Sequence, residues 1–256
     1  MALIPVLLVA LLAGGLAYCA LVVFAAHHYL SARPGGLQTC PPISVLKPLA
    51  GVDQGLDQNL RSFFQQDYPD FELLLAVRSA NDPAAVVVEE LRLEYPRVAS
   101  RLIVTGEPPH ANAKVYSLDC MLAEARHDLV VMSDSDIRVT PDLLGVVAAE
   151  FQDQRLGLAT CPYRAVAGRG FWSVLEAIGM NTEFLSGVLV ARIVEGMKFA
   201  LGPPIVARRA AQAGNIRVGS AGAGPAVRRA PWAGPRGGPG AGGAPRLATR
   251  NTPPRA

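Results

Sequence analysis

Leu129-Val130-Val131-Met132-Ser133-Asp134-Ser135-Asp136 is the stretch on which the reading of the fold turns. Four bulky apolar residues in succession, with no polar residue alternating between them, predict a strand buried on both faces, the kind found inside a parallel sheet. An Asp-x-Asp follows at once. Two carboxylates at the mouth of such a sheet can hold a hard divalent cation, Mg2+ or Mn2+, and the cation in turn neutralises a diphosphate leaving group. An isolated pair of this kind also serves as an ordinary turn or helix cap, here before Pro141. Its position directly behind a buried strand favours a metal and nucleotide site, with Asp134 and Asp136 as the ligands.

Working outward, the same grammar repeats. Ile43-Ser44-Val45-Leu46, Phe71 to Val77 and Arg101-Leu102-Ile103-Val104 read as further strands. Helical stretches lie between them, at Leu56 to Gln66, Pro83 to about Leu93 and Lys114 to Ala125, with another at Pro141 to Phe151. Pro83 at a first helical position is pre-set for the helix and forfeits no hydrogen bond there. Buried strands alternating with helices imply an α/β domain with a parallel sheet covered on both faces. Ligands of such sheets bind beyond the carboxyl ends of the strands, where Ser79, Asp82, Asp134 and Asp136 fall.

The 256-residue chain is 50% hydrophobic, enough for one sizeable domain plus a membrane segment. Ala2 to Ala26 carry no charge, and as a helix they would extend roughly 37 Å, enough to cross a bilayer with some tilt. A cleaved signal peptide is the competing reading, but the run lacks a basic leading region and is too long for one. Residues 1–28 are therefore expected to be a single transmembrane anchor and 29–42 a Pro/Gly-rich linker. Arg33 and Lys47 follow the helix and no charged side chain precedes it, so the domain is expected on the cytoplasmic side of the inner membrane. His27 and His28 suit the membrane interface, and the apolar stretch from Phe171 to Val190 suits either core packing or the membrane surface.

Net charge is +3, but it is divided unevenly. Residues 1–195 hold 14 Lys/Arg against 21 Asp/Glu, and residues 196–256 hold 10 Lys/Arg and no acid. The positive charge thus belongs to a Gly/Pro/Ala-rich tail without interleaved aromatics, which argues against a nucleic-acid partner. Residues 212–256 have too few bulky apolar side chains to offset their ordering entropy and are expected to be disordered. Cys19, Cys40, Cys120 and Cys161 show no metal-ligand spacing and read as buried reduced thiols.

A resemblance becomes specific when the motifs are taken together. They are Ser44-Val45-Leu46-Lys47-Pro48-Leu49-Ala50-Gly51-Val52-Asp53, Asp67-Tyr68-Pro69, Asn81-Asp82-Pro83-Ala84, Asn112 with Lys114, Ser133 to Val139 with Pro141-Asp142, Pro162-Tyr163 and Gly196-Met197-Lys198-Phe199. In order and spacing they resemble ceramide glucosyltransferases and the bacterial hopanoid-associated glycosyltransferases over residues 43 to 209. The resemblance implies a GT-A fold in 43–211, an inverting mechanism, a UDP-sugar donor and a lipid acceptor. It matches Asp134 and Asp136 to the family's metal-binding acids, and it places Asp82 and Lys114 near the donor, Lys114 against its phosphate.

Two departures accompany it. Ser79 stands where the family has a nucleoside-binding acid, leaving Asp82 as the nearest carboxylate. No Asp or Glu follows Glu195, so the later acidic motif that supplies the general base, and the Gln-x-x-Arg-Trp motif beyond it, are unmatched. The catalytic base is thus unassigned, and the change of composition near residue 211 reads as truncation or translation in another frame. The alternative reading is a catalytically dead nucleotide-sugar-binding membrane protein.

Overall fold

The computed structural model describes residues 3–31, 37–154, 156–168, 170–196, 200–209, 227–229 and 248–251. The charge-free N-terminus forms one continuous helix, α1 (Leu3–Ser31), whose side chains from Leu3 to Phe24 are almost all bare on the protein surface. Tyr29 to Ser31, expected to start the linker, complete this helix instead. Arg33 lies outside the described residues.

The domain opens with β1 (Ile43–Pro48), α2 (Leu56–Phe64), β2 (Phe71–Val77), α3 (Pro83–Glu94), β3 (Ala99–Val104), α4 (Ala113–Glu124) and β4 (Leu129–Met132). Strands β3, β2, β1 and β4 lie side by side in that order, all parallel. The unbroken apolar runs find their cause in the two layers they feed. Ile43, Val45, Leu73, Leu75, Leu129 and Val131 face α2, α3 and α5 (Leu143–Glu150), where Leu60, Phe63, Val88, Leu91, Leu144 and Val147 complete a buried cluster. Leu46, Leu74, Ala76 and Val130 face the other way, against Met121 and Ala125 of and just after α4. Each large apolar side chain so buried contributes about 1.5–3 kcal/mol.

The sheet is not purely parallel as expected. β8 (Ile205–Arg208) joins antiparallel to β4, and β6 (Leu158–Thr160) joins antiparallel to β8. A smaller sheet holds β5 (Ile137–Arg138) and β7 (Tyr163–Val166). These strands have two to four residues, too short to show a period in the sequence. In the tail, the backbone of β9 (Val227–Arg229) lies parallel to β6, and that of β10 (Ala248–Asn251) lies between β5 and β7. The rest of 212–256, expected to be disordered, lies outside the described residues.

Beyond β7 the chain forms α6 (Phe171–Gly179), a π turn (Met180–Phe184) and α7 (Leu185–Glu195) as one rod. It and α1 are the two helices long and apolar enough to cross a membrane among the described residues. The cysteines correct another expectation: none forms a disulfide, but Cys161 alone is buried, while Cys19 and Cys40 are exposed. Cys19 is bare because it lies on the apolar surface of α1, which no protein covers.

Candidate functional site

The Asp-x-Asp occupies the turn between β4 and β5, at the carboxyl end of the parallel strands. Its backbone is pinned in four places. Ser133 N–H donates to the Leu46 carbonyl at 3.0 Å, carrying the β1–β4 pairing one residue past the strand. The Asp134 carbonyl accepts from Ile137 N–H at 3.3 Å and from Lys47 Nζ at 2.6 Å. Asn59 Nδ2, on the buried face of α2, donates to the Ser135 carbonyl at 3.3 Å. The main chain of the turn is thus held from below, and the Asp134 side chain is 21% exposed.

Lys47, counted from the sequence only as a positive charge that follows α1, belongs to this site instead. Its side chain is almost wholly buried, its ammonium also donates to Ser133 Oγ at 3.3 Å, and it lies 3.8 Å from the centre of the Phe63 ring. Burial lowers its pKa to about 7, against the opposing pull of Asp134 and Asp136. Desolvation disfavours the charged form, and the nearby carboxylates recover only part of that cost. A signal for it was present: a lysine inside an apolar strand must find acceptors within the fold. Which acceptors, 86 and 87 residues away, the sequence did not say.

Lys114 approaches the turn from the other side. Asn112 caps α4 by accepting from Val115 N–H at 3.1 Å, which sets Lys114 in the first turn. Its Nζ pairs with Asp134 Oδ1 at 2.5 Å. Thus Lys114 and Asp134, predicted separately, are brought together. Asp82 is placed differently: it caps α3, accepting from Ala84 N–H at 2.9 Å, and it also accepts from Gly51 N–H at 3.0 Å. Gly51 has φ 66°, so this close loop contact uses a conformation that favours glycine. Asp82 therefore ties the end of β1 to the start of α3. Ser79 lies in the same turn, its hydroxyl accepting from Asn81 N–H at 3.2 Å. Met197 to Phe199 lie outside the described residues.

Among the described residues, no three His, Cys, Asp or Glu side chains converge as a metal cage. Two carboxylates on a pinned turn still fit Mg2+ or Mn2+, because Mg2+ is commonly held by one or two carboxylates together with substrate phosphates and water. Asp134 and Asp136 would be the protein ligands, with Lys114 supplying positive charge beside them.

Comparison with known proteins bears on the family and the fold. The model of glycosyl transferase family 21 matches residues 6–215. Ceramide glucosyltransferase 1 of Caenorhabditis elegans is 33% identical over 174 residues, 67% of this chain and 36% of that protein. A ceramide glucosyltransferase of Komagataella phaffii is 35% identical over 101 residues, 38% of this chain and 20% of that protein. The chain thus spans about a third or less of the length of these relatives. Among solved structures, S. aureus TarS 1-349 in complex with UDP-GlcNAc superposes with a TM-score of 0.53 at 15% identity, covering 84% of this chain and 60% of that one. At that identity the likeness is one of fold, and the fold is GT-A.

Proposed function

The chain belongs to glycosyl transferase family 21, and from that premise we propose that its domain binds a UDP-sugar through Asp134 and Asp136 for transfer to a lipid hydroxyl of ceramide or hopanoid type. The observation that carries this reading is the pinned Asp-x-Asp turn with Lys114 at 2.5 Å. A divalent cation bound there would stabilise the charge that develops on the departing UDP. Lys114 adds a charge-assisted contact for the diphosphate. Lys47, Asn59 and the Leu46 carbonyl hold the turn so that the carboxylates need not reorganise when the donor arrives. Asp82, whose carboxylate already serves two backbone N–H groups, shapes the donor side of the pocket. The domain works at the cytoplasmic face of the inner membrane, where α1 anchors it and nucleotide sugars are supplied.

Inverting transfer also needs a base to accept the proton of the attacking hydroxyl. Carboxylates committed to a cation cannot do this, and the sequence holds no Asp or Glu after Glu195. On this reading these 256 residues by themselves bind the donor and transfer it slowly, without the ~10²–10⁴-fold that general-base assistance supplies. The test is transfer of labelled sugar from UDP-glucose or UDP-N-acetylglucosamine to ceramide or a hopanoid in detergent. The expected result is background transfer by this chain and activity in a form carrying an acidic motif and an Arg-Trp motif after residue 211. Robust transfer by the 256-residue chain would place the base among the residues described above.

A further inference from the structure

The rod Phe171–Glu195 passes a length and hydropathy test for a membrane span, yet its contacts contradict a crossing. Ser173 Oγ accepts from Gly168 N–H at 2.7 Å. Asn181, inside the π turn, bonds Ala165 of β7 twice, its Oδ1 accepting from Ala165 N–H and its Nδ2 donating to Ala165 carbonyl, each at 2.8 Å. The rod is therefore bolted to the sheet domain at two points two turns apart. A helix so attached cannot leave the domain to enter the bilayer core. Glu176 and Glu183, both exposed, would add a charged residue near each attachment, costing about 2.5–3.5 kcal/mol apiece at a bilayer centre.

The opposite side of α6 is apolar. With Ser173 and Ala177 turned inward and buried, Phe171, Val174, Leu175 and Ile178 occupy the outer face, and Trp172 flanks it. Phe171 is 70% exposed and Trp172 76% exposed, their rings meeting edge to face at 5.4 Å. What covers this face follows from where the rod ends. Leu189 of α7 is buried against Ala25 and Tyr29, the last turns of α1, with Leu185, Val190 and Ile193 around it. The bare apolar surface of α1 begins directly above that junction, through Phe24, Val23 and the residues before them. The outer face of α6 and the membrane-embedded part of α1 are thus joined through one packed corner.

We infer that Phe171–Glu195 is a membrane-surface helix, which rests the Phe171, Trp172, Leu175 and Ile178 face in the interface of the bilayer that α1 enters. Aromatic and aliphatic side chains on one face, with a polar face held elsewhere, have the composition of helices that lie in the interfacial plane. The domain is then fixed by two attachments, a spanning helix and a resting one, and cannot swing away from the lipid surface. For the transfer proposed above, this keeps the sheet mouth within reach of a lipid hydroxyl; the membrane contact itself does not depend on that reading.

The test uses the full chain with Trp232→Phe, so that Trp172 is the one tryptophan, reconstituted into phosphatidylcholine vesicles. Lipids brominated high on the acyl chain are expected to quench Trp172 several-fold more than lipids brominated near the chain end, with little quenching by aqueous iodide. Triple substitution Phe171→Ser, Leu175→Ser and Ile178→Ser should remove quenching by both lipids and open Trp172 to iodide while the chain still co-floats with vesicles through α1. Stronger quenching by the deep bromines would mean that Trp172 is sunk in the acyl core, where a helix resting in the interface does not place it. Ready quenching by iodide would mean that the face is in water, and protection from both quenchers would mean that protein covers it. Each of these three results overturns the inference. None requires a sugar donor, so failure here is separate from failure of the transferase reading.

Discussion

The two ends of the parallel sheet each bury one charged side chain, and they do so in opposite ways. At the amino end, Glu72 is fully engaged. Ser44 Oγ donates to it at 2.7 Å, Arg126 N–H at 2.7 Å, and Arg101 Nη2 pairs with it at 3.2 Å. Burial pushes its carboxyl up, yet the Arg126 N–H, the Ser44 hydroxyl, Arg101 and His127 together bring it below its usual value. At the carboxyl end, Lys47 has two neutral oxygens and an aromatic ring, with carboxylates near but, among the described residues, none paired with it, and burial leaves its pKa far below the usual lysine range. One charge is held at the lowest cost the fold can arrange; the other is held at a cost the fold does not recover. Local strain and unrecovered polar burial are commonest at functional sites, where a group is kept for chemistry. The amino end is therefore a structural knot, and the carboxyl end is where the proposed donor site lies.

Phe63→Ala should have the largest effect, because it opens a cavity in the main core and removes the ring against Lys47. A loss of about 3–5 kcal/mol in unfolding free energy is expected for such a truncation, measured by thermal or denaturant unfolding of the detergent-solubilised chain. A change below 1 kcal/mol would mean that the site end of the core is already loose.

The sharpest contrast comes from substituting the two buried charges. Glu72→Gln should cost about 1–3 kcal/mol, since it weakens the acceptor of the buried Ser44 hydroxyl and of the Arg126 N–H, and it should leave binding of UDP with Mn2+ unchanged. Lys47→Met should do the reverse. An apolar side chain of similar length relieves the burial penalty and keeps stability near or above that of the parent. The Asp-x-Asp turn, no longer held from below, should bind Mn2+ and UDP ~10–100-fold more weakly, the usual consequence of losing an outer support of a metal site. If Lys47→Met unfolds the chain and binding survives, the assignment of the two ends is inverted.

Their pH dependences should have the same sign but fall in different windows. Lys47 binds its proton more weakly in the folded chain than in the unfolded one, so between about 7 and its ordinary 10.5 the unfolded state holds more protons. Stability relative to Lys47→Met should therefore rise with pH across that window. Glu72 is lowered in the folded chain from an ordinary 4.5, so its contribution relative to Glu72→Gln is complete above that value and is lost as pH falls below it. Unfolding of the three proteins across pH, with the variants as references, reads both slopes.

Lys114→Ala should have the smallest effect on stability. Its ion pair with Asp134 is half exposed on the lysine side, and such pairs contribute about 0–1 kcal/mol. A larger loss of stability would make Lys114 part of the scaffold instead of part of the donor site.

How much of this was legible in the sequence depends on the length of the signal. Strands β1, β2 and β4 announced themselves because both of their faces are buried, β3, a half-exposed edge strand, did so by its apolar Leu102-Ile103-Val104, and the acids at the strand ends fell where the alternation put them. The antiparallel additions β6 and β8 did not, since three or four residues carry no measurable period. The Asp-x-Asp was legible as a candidate from its place behind Met132. Its support was not, because Lys47 and Asn59 reach it across 76 to 87 residues of sequence. Asp82 was read as a donor ligand from its neighbourhood, and the structure gives its carboxylate to two backbone N–H groups. The rod after Phe171 was legible as apolar, but the bonds of Ser173 to Gly168 and of Asn181 to Ala165, which tie it to the sheet domain, were not.

The central claim is that the Asp-x-Asp turn binds a metal–nucleotide complex. Titration calorimetry of the detergent-solubilised chain with UDP, in the presence and absence of Mn2+ or Mg2+, addresses it most directly. Binding that requires the cation and disappears in the Asp134→Ala, Asp136→Ala double variant is the predicted result. UDP binding of equal strength without the cation, or unchanged in the double variant, would contradict it.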